Sequence, residues 1–332
     1  MDGGNEMTQT TPTLEVLTEL LMGEASFFPD TRAPKVFFDR ENSQQKGGVM
    51  ITPLYYPSRK IPVSFLDGKT GKIRRKFRRD HISALLLEKE GENSPKRNVI
   101  ALHQHALNFE IGKSEPAGLK GDPEQAYGFE LAQRGYRVLC FDFPPFEERI
   151  LDFPGEPFLK QELSLEGVEL MGKYMCDTMR AVDVLLSLNP NPVNPEVGLI
   201  GHSLGGMVAV YTQACDPRIT AAVANCGVST YDSITDTGQT HNWAYPIHGM
   251  RPRFGEWHEV FAFLQGRPLL ISASFEDDLF PIEGVVDFVR FAKKFEGASH
   301  LKFKEWRGGH SFSKEAREFA YGFLDRHLER GK

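Results

Sequence analysis

From about residue 99 onward the chain alternates short apolar runs with longer stretches of helical periodicity. The runs at 99–102, 137–141, 197–200, 221–224 and 269–272 are almost wholly apolar, as strands buried on both faces are, and 301–305 alternates like a last strand at a sheet edge. Because helical patterns separate them, successive strands must be joined by right-handed crossovers. A mostly parallel central sheet with helices on both faces follows. Ahead of it, 49–90 reads as an antiparallel meander with Asp67-Gly68 and Thr70-Gly71 at turns. Leucine spacing over 13–22 suits a short amphipathic helix, while residues 1–10 are polar and expected to be disordered. No internal repeat is visible. The chain thus divides into an N-terminal extension, 1–48, and one α/β domain, 49–332, from which two loop or helical cap excursions leave the strand ends at about 143–169 and 229–258.

Composition narrows the function classes. A length of 332 residues with 40% hydrophobic positions suffices for one large core. A net charge of −6 and a pI near 6.0 argue against nucleic acid or an anionic membrane as partner, since both demand a basic face. The exception, Lys72-Ile73-Arg74-Arg75-Lys76-Phe77-Arg78-Arg79, reads as the solvated side of a surface strand. Cys140, Cys176, Cys215 and Cys226 all fall in apolar patterns without close pairing, so they read as buried thiols of a reducing compartment. With no export signal or bilayer-length apolar run, a cytoplasmic location is expected. The 13–22 helix packs on the core or on a second subunit, which makes a homo-oligomer one expectation.

The chemistry concentrates after the run at 197–200. Gly201-His202-Ser203-Leu204-Gly205 fits the G-x-S-x-G pattern that turns a strand sharply into a helix and exposes a strained serine. Glycines two residues to either side remove the Cβ atoms that would collide in such a turn. A serine hydroxyl is a weak nucleophile until an imidazole takes its proton and a carboxylate holds that imidazole. Both types follow: an acidic loop, Glu276-Asp277-Asp278, closed by Pro281, and a glycine-rich loop, Arg307-Gly308-Gly309-His310. Charge developing on a carbonyl oxygen would be met by backbone donors, one of them Leu204 N–H.

These pieces, together with Val99-Ile100-Ala101-Leu102-His103-Gln104-His105, the run 111–118 and the run 132–142, resemble the α/β-hydrolase superfamily over about residues 98–327. Within it, the chain is similar to dienelactone-hydrolase-related and acetyl-xylan-esterase-like serine esterases. The resemblance implies an α/β-hydrolase fold, the catalytic order Ser203, Asp277, His310, and no cofactor. Its Asp-x-x-x-Pro spacing selects Asp277 over Asp278, which is then exposed or caps the next helix. His-Gly-X loops of similar esterases place the second oxyanion donor at His105, with Gln104 second and His103 shaping the loop. Two departures stand out. Dienelactone hydrolases use cysteine where this chain has Ser203, which points to ester hydrolysis, and His103-Gln104 replaces the usual His-Gly.

A zinc site built from His103, His105 and His202 is set aside, because His202 belongs to the turn and no carboxylate lies nearby in sequence. Metal ligands are expected to be absent. Substrate choice falls to the two excursions, whose Phe146, Phe153, Phe158, Trp243, Tyr245, Phe254 and Trp257 can wall an apolar pocket, with Gln104 and His202 as polar candidates. The expected function is a serine esterase that cleaves small or medium carboxylic esters through an acyl-enzyme. The alternatives are a thioesterase, a carbohydrate-ester deacetylase, a peptidase, or a binding module without catalysis.

Overall fold

The computed structural model describes residues 13–23, 33–58, 61–78, 80–92, 97–151, 155–188, 196–239, 241–295 and 298–328. Expectations for residues 1–10, Arg79 and Phe153 lie outside the described residues. The strands are β1 (Phe37–Phe38), β2 (Gln44–Lys46), β3 (Val49–Pro57), β4 (Ile61–Leu66), β5 (Ile73–Arg78), β6 (His81–Lys89), β7 (Asn98–Leu102), β8 (Arg137–Phe141), β9 (Val197–His202), β10 (Ile219–Asn225), β11 (Leu269–Ser274) and β12 (Leu301–Trp306). The helices are α1 (Leu14–Met22), α2 (Tyr127–Gln133), α3 (Glu156–Leu165), α4 (Leu170–Ser187), α5 (Leu204–Cys215), α6 (Tyr231–Asp236), α7 (Met250–Arg253), α8 (Ile282–Ala292) and α9 (Lys314–His327).

One ten-stranded sheet runs in the order β1-β3-β6-β8-β7-β9-β10-β11-β12, with β2 also paired to β3. From β8 to β12 every neighbouring pair is parallel, whereas β3, β6 and β8 pair antiparallel. The apolar runs are what permit this. In β7 and β8, Val99, Ala101, Val138 and Cys140 pack with α2 and α9, while Ile100, Leu102, Leu139 and Phe141 pack with α1, α4 and α5. Alternate side chains point to opposite faces, so both faces need apolar cover, and each fully buried Leu, Ile or Phe contributes about 1.5–3 kcal/mol.

The described parts of the 1–48 extension are tied into this core. Leu17, Leu20 and Leu21 of α1 are buried, and Glu169 N–H donates to Leu21 O at 3.0 Å. β1 and β2 add to β3, so the sheet begins before residue 49. Strands of two and three residues are too short to leave a period in the sequence. The basic run falls on β5, which pairs only with β4 in a separate hairpin turned at Asp67, where Gly71 N–H donates to Asp67 O at 2.8 Å. Cys140, Cys176 and Cys226 are buried as expected, but Cys215, at the last residue of α5, is only half-buried. Among the described residues no helix is long and apolar enough to cross a membrane.

The excursion after β8 is pinned from below by charge. Arg149 bonds Asp80 at 2.6 Å and Asp177 at 2.8 Å, and Lys173 bonds the same two carboxylates at 2.6 and 2.7 Å. All four are buried. Burial alone would raise the Asp80 pKa, yet the Arg149 and Lys173 charges bring it down to about 2. Losing one member would strand a partner, a cost of about 3–5 kcal/mol. The network therefore fixes the excursion at Arg149 against α4.

Candidate active site

The C-terminal ends of β7, β9, β11 and β12 converge on one edge of the sheet, where an α/β fold binds its ligands. At the end of β9, Ser203 stands between strand and α5 with φ 55° and ψ −120°, a conformation L-residues avoid. The flanking glycines make it possible: a Cβ on Gly201 would run into the backbone of Gly205, and one on Gly205 into the carbonyl of Leu102. Ser203 N–H donates to Asn225 O at 2.9 Å, which anchors the turn to β10. The serine side chain is thereby presented at the start of α5, where the first-turn N–H groups have no helical partner.

Asp277 and His310 meet across the loops that extend β11 and β12. His310 Nδ1 lies 2.9 Å from Asp277 Oδ2, while Asp277 Oδ1 accepts from Leu279 N–H at 2.9 Å and Phe280 N–H at 3.0 Å. Burial pushes the Asp277 pKa up, but the hydrogen bond and charge of His310 and the Phe280 N–H outweigh it, so the carboxyl is held below its ordinary value. The loops are joined directly: Glu276 N–H donates to Gly308 O at 2.9 Å, and Asn225 Nδ2 donates to Ser311 O at 2.9 Å. Asp278 is exposed, and α8 begins after Pro281 without a side-chain cap, so the capping role considered for Asp278 is not taken up.

His202 stands behind His310 and does not line the pocket. It is fully buried, its ring centroid 4.6 Å from that of His310, and its Nδ1 accepts from Asn225 Nδ2 at 2.8 Å. Burial first, and then the neighbouring His310 charge, lower its pKa to about 3. A strand-end side chain beneath the turn has nowhere else to go, which corrects the expectation that it contacts substrate.

The loop after β7 carries Gln104 and His105. His105 Nε2 donates to Glu156 Oε2 at 2.9 Å, and its Nδ1 accepts from Leu107 N–H at 3.1 Å. Ala106 and Leu107 follow with φ of 48° and 52°, so the loop is held in a conformation that the His105 anchors must maintain. Gln104 Nε2 donates to Glu115 Oε2 at 3.0 Å. His103 turns inward, its Nδ1 donating to Gln104 O at 2.7 Å and its Nε2 accepting from Phe143 N–H at 3.0 Å. Burial lowers its pKa to about 4. The three histidines weighed for zinc thus face different partners. Among the described residues a different trio, Cys226, Asp277 and His310, places ligand atoms within 4.8 Å of one another, but there the acid and imidazole bond each other and the thiol donates to Ser311 O at 3.6 Å.

A cavity of about 490 Å³ opens at this edge, and Ser203, His310, Gln104, His105 and Trp243 all line it. Phe146, Tyr245 and Trp257, expected in its wall, do not. Phe146 is buried behind the loop, 4.8 Å from the His103 ring and 5.2 Å from that of His105. Trp257 stacks on Tyr211 at 5.7 Å, and Tyr245 packs between Tyr231 and His241. Excursion aromatics serve first as the excursion's own core. In their place the cavity takes Glu156 and Pro157 from α3, His241 and Asn242 beside Trp243, and Leu279 next to the acid. His241 accepts at Nδ1 from Asn242 Nδ2 at 3.0 Å, and burial lowers its pKa to about 4. His241 and Glu156 both lie inside the two excursions named from sequence. Attending to polar residues there, and not only to aromatics, would have found them.

Known proteins share this fold. The model of the alpha/beta hydrolase family matches residues 121–320. YtaP of Bacillus subtilis (strain 168), described as a hydrolase, is 29% identical over 206 residues, which are 61% of this chain and 67% of that protein. Acetyl xylan esterase 1 of Thermoanaerobacterium sp. JW/SL YS485 superposes with a TM-score of 0.62 at 16% identity, over 98% of this chain and 97% of its own. A glucuronoyl esterase from Solibacter usitatus gives 0.61 at 15% identity, over 95% and 91%. At such identities the likeness to the two solved structures is one of fold.

Proposed function

This chain belongs to the alpha/beta hydrolase family, and from that premise we propose that it hydrolyses small or medium carboxylic esters through an acyl-enzyme on Ser203. The observation that carries the reading is that Ser203 and His310 line one cavity while Asp277 holds the far nitrogen of His310 at 2.9 Å. Esterases among the fold neighbours support the ester chemistry.

With Nδ1–H pinned to Asp277, His310 presents Nε2 as the base. It takes the proton of Ser203 Oγ as that oxygen attacks the ester carbonyl. The tetrahedral oxyanion is met by Leu204 N–H, at the positive end of α5, and by a backbone N–H of the loop at His105. The imidazolium then gives its proton to the departing alcohol, and the C–O bond breaks to leave the acyl group on Ser203. Water, deprotonated by the same imidazole, releases the acid. Within this reading the anchored His105 ring holds a loop and does not itself transfer a proton.

A fluorophosphonate probe tests the nucleophile: labelling in wild type and its loss in Ser203→Ala are expected, and labelling that persists in the variant would remove Ser203 from the mechanism. A panel of p-nitrophenyl acyl esters of increasing chain length, with acyl-thioesters and acetylated sugars alongside, then separates the ester reading from the thioesterase and carbohydrate-deacetylase readings.

A further inference from the structure

The cavity has walls of one electrical sign. Among the described residues no lysine or arginine lines it, and one lining residue, Glu156, is a carboxylate. Glu156 is buried, with Oε2 accepting from His105 Nε2 and Oε1 from the Tyr174 hydroxyl, both at 2.9 Å. His105 Nδ1 accepts from Leu107 N–H, so the ring meets Glu156 through Nε2. Both donors hold the carboxylate in place, and burial leaves little water to screen it. Across the site stands a second carboxylate, Asp277, behind His310.

The mouth is different. Leu107 and Trp243 line the cavity and are 85% and 50% exposed, respectively, so the entrance offers an aliphatic side chain and an indole. An aromatic side chain at the entrance and a buried negative charge at the inner wall both attract a cation.

We infer that this site prefers substrates bearing an ammonium group over those bearing a carboxylate or phosphate, with Glu156 as the residue that sets the preference. The inference rests on the reading of this cavity as the substrate site, and it adds the charge class of the substrate to it.

Two ions that need no turnover test it. Phenyltrimethylammonium and benzoate, titrated calorimetrically into the wild-type protein, are expected to differ in Kd by at least tenfold in favour of the cation, about 1.4 kcal/mol. Glu156→Gln should shrink that ratio at least threefold. Pro157→Lys, which puts a cation on an exposed position of the same wall without touching the buried carboxylate, should shift the ratio toward benzoate and keeps the test open if Glu156→Gln does not fold. Equal or tighter binding of benzoate to wild type, binding of neither ion, or a ratio that neither substitution moves would overturn the inference. p-Nitrophenyl esters with neutral, ammonium-bearing and carboxylate-bearing acyl groups separate the two readings. Turnover of none of them counts against ester hydrolysis and leaves the binding ratio to decide on charge. Faster turnover of the carboxylate ester counts against the charge preference alone.

Discussion

Two carboxylate–imidazole pairs flank the same cavity, and both are 2.9 Å long. They differ in which nitrogen each ring spends. His310 gives Nδ1 to Asp277 and keeps Nε2 for the cavity, whereas His105 gives Nε2 to Glu156 and Nδ1 to the Leu107 N–H. A ring with one nitrogen committed can shuttle a proton. A ring with both committed can only hold a position. The same two residue types thus make a base on one wall and an anchor on the other, and the backbone around them makes the difference: Asp277 is itself fixed by two N–H groups, while His105 is pinned by the turn that it shapes.

The contrast is sharpest on the His310 side. Ser203→Ala should lower kcat at least 10³-fold with the fold retained, since losing a hydroxyl from a strained turn adds no strain; steady-state kinetics with circular dichroism check both halves. Next, Asp277→Asn should cost about 10²-fold or more in kcat, because the amide admits the wrong imidazole tautomer. Its neighbour Asp278 is exposed and should be tolerated as Asn.

Acid should affect stability through the rings packed around both pairs. His103, His202 and His241 are held neutral by burial, with folded pKa values of about 4, 3 and 4 against about 6.5 unfolded. Their folded values are depressed, so the stability they contribute is present above pH ~6.5 and is lost as pH falls toward 4. Within that window each histidine removes about 1.4 kcal/mol per pH unit. Urea midpoints should therefore fall steeply between pH 6.5 and 5, and a midpoint flat across that range would contradict buried neutral rings.

A smaller effect is expected on the His105 side, where Glu156→Gln keeps an acceptor for the ring and should lower kcat on a neutral ester by less than tenfold. A loss equal to that of Asp277→Asn would erase the distinction between base and anchor. Smallest of all, Asp278→Asn should change kcat less than about twofold, within the usual range of surface substitutions.

Much of the frame was legible because it rests on local rules. The five apolar runs from 99 to 272 became β7 to β11, since a strand covered on both faces must be apolar throughout, and the alternating run at 301–305 became the edge strand β12. The turn at Ser203 was legible because its strain leaves room only for glycine at 201 and 205. The short strands β1 and β2 left no such mark, and neither did the role of α1, whose leucines fit equally well on a core or on a second subunit.

The sequence by itself determined the strands from β7 to β12 and the strained serine turn, because strand burial and glycine geometry act over a few residues, whereas Asp277 was preferred to Asp278 on the family's Asp-x-x-x-Pro spacing. Tertiary structure alone decided what faces the cavity. Phe146, Tyr245 and Trp257 turned into the packing of their own excursions, while Glu156, His241 and Asn242 came forward. It also decided that His105 is spent at both nitrogens. Leu107 is two residues from His105, but Glu156 lies 51 residues on and is itself held by Tyr174, 18 residues further, so that meeting depends on how α3 docks on α4 and not on any local pattern.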